Sequence, residues 1–259
     1  MEFLNLDPKK EELKIISFLK TSLNKTPFTN YIVAVSGGID SAVVTTILVK
    51  AVSTKHLFTC FFPYGYLSKD SLYRAKTLCD QLSIPTKNRI EIDIKNIVDP
   101  ILTSIQPAKD LVRTGNVMAR VRMILLFDQA KKHKALVCGT ENKSEHLLGY
   151  FTRFGDEASD IEPIRHLYKT QVKILAKHLN IPKGIQNAIP TAGLWQNQTD
   201  ETEFGFSYEE ADKVLSLKFD HNSEEREIIK KGISQEVVQK VLKRAAENSF
   251  KYNLPYTLE

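Results

Sequence analysis

The stretch "YIVAVSGGIDSAVVTTILVKAV", residues 31–52, constrains this chain more than any other. A β-branched and aromatic run reaches a serine and two glycines, and an apolar run of helical length follows at once. A strand that passes through glycines into a helix gathers backbone N–H groups and the positive end of the helix dipole at one point, which suits an anion. Gly37 and Gly38 let phosphate oxygens approach backbone that a Cβ would screen. Ser36 and Ser41 add hydroxyls. Asp40 narrows the reading, because a carboxylate beside a phosphate repels it unless a divalent cation lies between, and magnesium is expected there. A plain strand-to-helix turn with Asp40 as its cap is the alternative. It accounts for two glycines better than for the whole string "SGGIDS".

The surrounding pattern says what carries this turn. Asp7 and Pro8 read as the cap and first residue of a helix whose inner face is Leu13, Ile16, Leu19 and Leu23. "LFTCFFP" (57–63) is a second strand, and "SKDSLYRAKTLCDQL" is a helix with Leu72, Ala75, Leu78, Cys79 and Leu82 on one side. "NRIEIDI" alternates as a strand with one wetter face, "NVMARVRMILLFDQAKK" is helical, and "ALVCGT" (135–140) is a fourth strand. Strands alternating with helices imply parallel crossovers, hence an α/β fold: a parallel twisted sheet with helices on both faces. The helices "SYEEADKVLSL" and "SQEVVQKVLKRAAEN" extend it at the C-terminal end. Ligands of such sheets bind at the carboxyl ends of the strands, where "SGGIDS", "PYG" and "GTENKSE" all fall. "HLLGYFTRFGDEASDIEPI" and "PTAGLWQNQTDETEFGFS", flanking the helix "KTQVKILAKHL", read as long functional loops.

Composition sets the remaining bounds. A chain of 259 residues, 42% hydrophobic and without linker or repeat, is expected to form one domain over residues 1–259. Its core is placed at about 28–180, with substrate loops and C-terminal helices at about 181–259. The net charge of +5 is dispersed among nearly as many acids, so nucleic acid is not an expected partner, and no segment reads as a membrane span. Cys60, Cys79 and Cys138 read as buried thiols in a reducing compartment, which points to the cytoplasm. No G-x-G-x-x-G and no G-x-x-x-x-G-K-[ST] occurs, which argues against a dinucleotide held in the usual Rossmann manner and against a Walker-type kinase. For a phosphate chain bound at this turn, cleavage between the α and β positions is the better expectation.

"SGGIDS" resembles the pyrophosphate loop of ATP pyrophosphatases, which adenylate an oxygen and then displace AMP with a nitrogen or sulfur nucleophile. The segments "RTGNVMARVRM", "GTENKSEHLLGYFTRFGD", "IEPI", "LYKTQV", "IPTAGLWQNQTDETEFGFSYEEAD" and "SFKYNLP" then occur in the order and spacing of ammonia-dependent NAD synthetases, from about residue 8 onward. The resemblance implies that ATP, deamido-NAD and ammonia give NAD, AMP and pyrophosphate by way of an acyl adenylate. It assigns ATP contacts to Ala34, Val35, Ser36, Gly37, Gly38, Ile39, Asp40, Ser41, Thr140, Lys169 and Thr191. Magnesium would sit on Asp40 and Glu145, and Arg120, Arg153, Asp160 and Lys251 would meet deamido-NAD. Arg120 and Arg122, two apart on a helix, face different ways, and the family match selects Arg120 for the cleft.

A carboxylate should hold ammonium and help remove its proton. Asp156 is assigned to ammonia and Asp160 to the nicotinate side, with an ordinary loop acid as the alternative for either. Lys169 is expected to stabilise the leaving pyrophosphate. The chain departs from the family at Arg153, where lysine is usual, and at Phe250, often histidine. Phe61 and Leu67 stand where many members have an arginine and a glutamine, so the adenine-side contacts are expected to differ. A homodimer is implied, and none of the three cysteines suits a fused glutaminase. The rival readings are another ATP pyrophosphatase, tRNA-modifying or GMP-forming, and a nucleotide sensor without chemistry.

Overall fold

The computed structural model describes residues 4–107, 109–252 and 257–258. Asp7 caps α1 (Pro8–Asn24), its carboxylate accepting the N–H groups of Lys9 and Lys10 at 3.1 and 3.0 Å. Ile15 and Leu19 carry the buried face, with Ile16 and Leu23 beside them, while Leu13 is 60% exposed rather than inside. A helix turns about 100° per residue, so Leu13 lies about 200° round the axis from Ile15.

The core alternates β1 (Asn30–Ala34), α2 (Ile39–Val52), β2 (Leu57–Phe61), α3 (Lys69–Gln81), β3 (Arg89–Glu91), α4 (Lys95–Ile105), α5 (Leu111–His133) and β4 (Ala135–Cys138). Among the described residues these strands form one sheet in the order β3-β2-β1-β4, and every pair is parallel. Successive β1 side chains go to opposite faces, as the period of a strand requires. Tyr31 and Val33 join the cluster made with α1, α2 and the later helix α7 (Lys169–His178), while Ile32 joins Val98, Met118, Val121 and Leu126 of α4 and α5. The expected α/β fold with helices on both faces is therefore present. "NRIEIDI" contributes only a three-residue edge strand, and α4 was not foreseen from the sequence.

The segments expected as long loops contain short helices. They are the end of α6 (Lys143–Leu148) and α9 (Asp200–Phe204), and α8 (Lys183–Gln186) lies between the two segments. The chain then continues through α10 (Tyr208–Leu215), α11 (Glu225–Lys230) and α12 (Gln235–Asn248). A separate apolar cluster of Leu148, Tyr168, Phe204, Phe206, Tyr208 and Val241 ties α6, α9, α10 and α12 together beside the sheet. It fixes the polar segments around 143–148 and 198–207 against the carboxyl ends of the strands. Cys60, Cys79 and Cys138 are buried and free, and no described helix is long and apolar enough to cross a membrane.

β1 leads on one side to β2 and receives β4 on the other, so the strand order reverses between β1 and β4. The crevice beyond their carboxyl ends is the topological switch point of the sheet. "SGGIDS" leaves β1 there and "GTENKSE" leaves β4.

Candidate active site

Gly37 adopts φ +83°, and a Cβ on it would stand 2.1 Å from the Ser71 carbonyl oxygen, so both conformation and space demand glycine. The two serine hydroxyls are engaged inside the turn. Ser41 Oγ accepts the Ser36 N–H at 3.2 Å and donates to the Gly38 carbonyl at 3.1 Å, and the Gly38 N–H donates to Ser36 Oγ at 3.2 Å. They brace the loop. The N–H groups of Ile39 and Asp40 open α2 with no carbonyl one turn behind them, which leaves them for an anion.

Asp40 does not cap α2, whose cap is Gly38 without a side-chain bond. Its carboxylate crosses the switch point instead. Oδ2 lies 2.6 Å from Lys169 Nζ, and Oδ1 accepts from Asn142 Nδ2 at 2.9 Å. Glu145 Oε1 is 2.9 Å from the same ammonium. A capping box on α6 sets this up: Asn142 Oδ1 accepts the Glu145 N–H at 3.0 Å, which fixes both side chains at the end of β4. Lys169 opens α7 and is 3% exposed, its own N–H donating to Ser144 Oγ at 2.8 Å. Burial alone would push this ammonium down, but Asp40 and Glu145 outweigh it and hold the proton firmly.

Two carboxylates against one ammonium leave a negative charge uncompensated. Burial first, with Asp40 adding to it and Lys169 opposing, pushes Glu145 up to about 8. Asp200 lies close in the same field, 3% exposed, with Oδ2 accepting from the Tyr208 hydroxyl at 3.0 Å and Oδ1 without a partner. Burial raises its carboxyl while Lys169 opposes. Hard oxygen donors with surplus negative charge fit a magnesium ion that completes its shell with water and phosphate, as this ion usually does. No cluster of three or more acidic, histidine or cysteine groups able to hold a metal occurs among the described residues.

These groups line a cavity of about 670 Å³. Its wall includes Ala34, Val35, Ser36, Gly38, Ile39 and Ser41, with Thr140 and Thr191 nearby in the lining. Asp156 is also there. Protein surrounds it, yet its surface opens to the cavity, and Oδ1 accepts the Thr152 N–H at 2.9 Å. Burial raises this carboxyl and the backbone N–H groups oppose, a shift that solvent in the open cavity moderates. Lys251 Nζ donates to the carbonyls of Gly149 (2.6 Å) and Phe151 (3.2 Å) and so ties the C-terminal segment to the loop that carries Asp156. The rest of "SFKYNLP" beyond Tyr252 lies outside the described residues.

Three expected substrate residues are not in the cavity wall. Arg120 is exposed and donates from Nε to the Arg153 carbonyl at 3.3 Å. The Arg153 guanidinium stands 5.0 Å from the Phe250 ring centroid, and Asp160 accepts the Val137 N–H at 2.7 Å beside β4. Of the arginine pair it is Arg122, not Arg120, that enters the cleft. Arg122 lies one helical turn from Met118 and Leu126, the inward face of α5, and so points the same way. Its Nε donates to the Phe62 carbonyl at 3.2 Å, and burial lowers its pKa to about 10 against the opposing charge of Asp156.

Reasoning from sequence also missed Asn142, Asp200 and Arg74, which all bear on this site. Asn142 was accessible through the Asn-x-x-Glu capping pattern in "NKSE". Asp200 and Arg74 left no local signal, since only the folded chain brings them to the crevice.

The parallel sheet, the glycine turn at its switch point and the buried lysine–carboxylate cluster define a Rossmann-like protein of the ATP pyrophosphatase type. The NAD synthase family model matches residues 12–255, and the chain belongs to that family. An NH3-dependent NAD(+) synthetase of Chlorobium phaeovibrioides is 39% identical over 252 residues, which covers 97% of this chain and 90% of the relative. The NH3-dependent NAD(+) synthetase of Pyrococcus furiosus is 38% identical, covering 96% and 94%. Among solved structures, the NH3-dependent NAD synthetase of Campylobacter jejuni in complex with nitrate superposes with a TM-score of 0.82 at 31% identity, over 98% of this chain and 100% of that one. NMN synthetase from Francisella tularensis gives a TM-score of 0.85 at 32% identity, with coverage of 98% and 100%. The chain is accordingly an enzyme of the ligase class.

Proposed function

We propose that this enzyme amidates deamido-NAD with ammonia at the expense of ATP, giving NAD, AMP and pyrophosphate, the final step of NAD formation. The observation that carries the reading is the convergence of Asp40, Glu145 and Lys169 on the glycine turn, in one cavity with Asp156. A nicotinate carboxylate does not react with ammonia, because its leaving group would be oxide. If the carboxylate attacks the α-phosphorus of ATP, the bond to the β-phosphate breaks and the acid becomes an acyl adenylate. Negative charge then grows on the departing pyrophosphate.

The first-turn N–H groups of α2 and the Lys169 ammonium are placed to meet that charge, which is catalysis by preorganised electrostatics. Asp40 and Glu145 would hold magnesium, which supplies further charge neutralisation when bound. Thr140 and Thr191 offer hydroxyls from the cavity wall. Asp156 is the carboxylate we assign to ammonium: it attracts the cation and takes its proton, and the amine lone pair then attacks the acyl carbon as AMP leaves. Lys251, bonded to the carbonyls of Gly149 and Phe151 in the cavity wall, is the residue we assign to the dinucleotide there, with Arg120, Arg153 and Asp160 assigned to its end beyond that wall.

Arg120 and Arg153 lie outside the cavity wall, where a second subunit could meet them. Ile97, Ile101 and Ile105 form an exposed apolar row on α4, with Leu111, Val112 and Ile124 exposed on α5, and this supports a homodimer. Sedimentation should show a dimer, and a monomer at micromolar concentration would remove that part. Three buried free thiols accord with a cytoplasmic enzyme.

The test is incubation with ATP, magnesium and ammonium plus either deamido-NAD or nicotinate mononucleotide. The reading predicts AMP and pyrophosphate in step with NAD from the dinucleotide. Turnover of the mononucleotide alone would instead place the chain with the Francisella NMN synthetase in specificity, and AMP from neither would end the ligase mechanism.

A further inference from the structure

Four cations line the cavity without an ion pair to any described carboxylate: Arg74, Arg122, Arg244 and Lys251. Three of them are engaged with other groups. Arg122 is bonded to Phe62, Lys251 to Gly149 and Phe151, and Arg244 lies against the rings of Phe204 and Tyr150. Arg74 alone among them bonds the turn itself, donating from Nε to the Gly37 carbonyl at 3.1 Å. It comes from α3, whose Ser71 carbonyl is pressed against Gly37 so closely that no Cβ fits between. The turn and the helix carrying Arg74 are therefore one packed unit.

The charge balance at this place calls for such a group. Lys169 is the cation inside the cluster, and its ammonium is already shared between Asp40 and Glu145. A polyphosphate entering here therefore needs a further cation. The Nε bond to Gly37 leaves both terminal nitrogens of Arg74 for a second acceptor, and a guanidinium fork matches two phosphate oxygens at once. We infer that Arg74 is a catalytic residue that grips the β,γ-phosphates of ATP at the glycine turn and stabilises them as leaving pyrophosphate. The inference rests on the ATP reading above. It adds a residue from α3, outside the loop and the lysine–carboxylate cluster.

The alternative role for Arg74 is to brace Gly37, and two substitutions separate the two. Arg74→Gln can still donate to the Gly37 carbonyl but has no charge, while Arg74→Lys keeps the charge without the fork. Binding of inorganic pyrophosphate with magnesium to the full chain is measured by calorimetry, alongside KM for both substrates and apo melting temperature. Arg74→Gln should weaken pyrophosphate and raise KM for ATP by about tenfold, the size of one lost charge-assisted contact. KM for deamido-NAD and the melting temperature should hold, and Arg74→Lys should fall between wild type and Arg74→Gln. Pyrophosphate binding by Arg74→Gln equal to wild type would overturn the role, as would Arg74→Lys being the more defective variant. Failure of the wild type itself to bind pyrophosphate would overturn the ATP reading, and the role of Arg74 with it.

Discussion

Lys169 Nζ lies 2.6 Å from Asp40 Oδ2, joining the first turn of α7 to the first turn of α2 across 129 positions of sequence. The ammonium also serves Glu145, so one buried cation holds two acids from opposite sides of the switch point. Replacing Lys169 by Met leaves those carboxylates facing each other with no cation, which should cost about 3–5 kcal/mol of stability. Adding Glu145→Gln should recover part of the loss in chemical denaturation, although neither variant should turn over. If the double variant is no more stable than Lys169→Met alone, the cluster is not the electrostatic unit described here.

Gly37→Ala tests the turn. At φ +83° with Ser71 oxygen 2.1 Å from the new methyl, the backbone must move. The left-handed conformation alone costs a non-glycine residue about 1–3 kcal/mol, and the clash adds to it. Gly38→Ala should be the milder change, because its methyl would meet only Ser36 Oγ at 3.3 Å. Melting temperatures and ATP affinity of the two variants check the order, and equal behaviour would contradict the packing of α3 on the loop.

The order of these sensitivities could be read only partly from sequence. "SGGIDS" after an apolar run announces a strand, an anion turn and a helix by local chemistry alone, and all three are present. Alternating strands and helices likewise give the parallel sheet. What local pattern does not hold is the phase of a helix against distant elements. Helical spacing puts Leu13 on the inner face with Ile16, Leu19 and Leu23, whereas Leu13 is exposed and Ile15 joins Leu19 against α2 and α7. Arg120 and Arg122 present the same problem: both suit a phosphate, and only the packing of Met118 and Leu126 on the sheet decides which turns inward. Asn142, Arg74 and Asp200 reach the crevice through crossovers, so no short window of sequence contains their relationship.

Glu162 provides a pH prediction away from the reacting groups. It accepts the Ser159 hydroxyl at 2.8 Å and the Glu141 N–H at 3.1 Å, and burial, opposed by Arg165, pushes it up to about 8 from an ordinary 4.5. The folded chain keeps this proton where the unfolded chain has released it, so stability falls as pH rises from about 4.5 to 8. Glu162→Gln should make the melting temperature visibly less dependent on pH in that window. An unchanged slope would show that Glu162 ionises normally.

The central claim is that the acid is activated by joining its own oxygen to the α-phosphorus. Deamido-NAD with ¹⁸O at both oxygens of its nicotinate carboxylate tests this directly, because the C–O bond broken by ammonia leaves one of them on AMP. Mass spectrometry should find one ¹⁸O in each AMP formed and none in pyrophosphate. Label in pyrophosphate or inorganic phosphate, or AMP without label, would contradict the account.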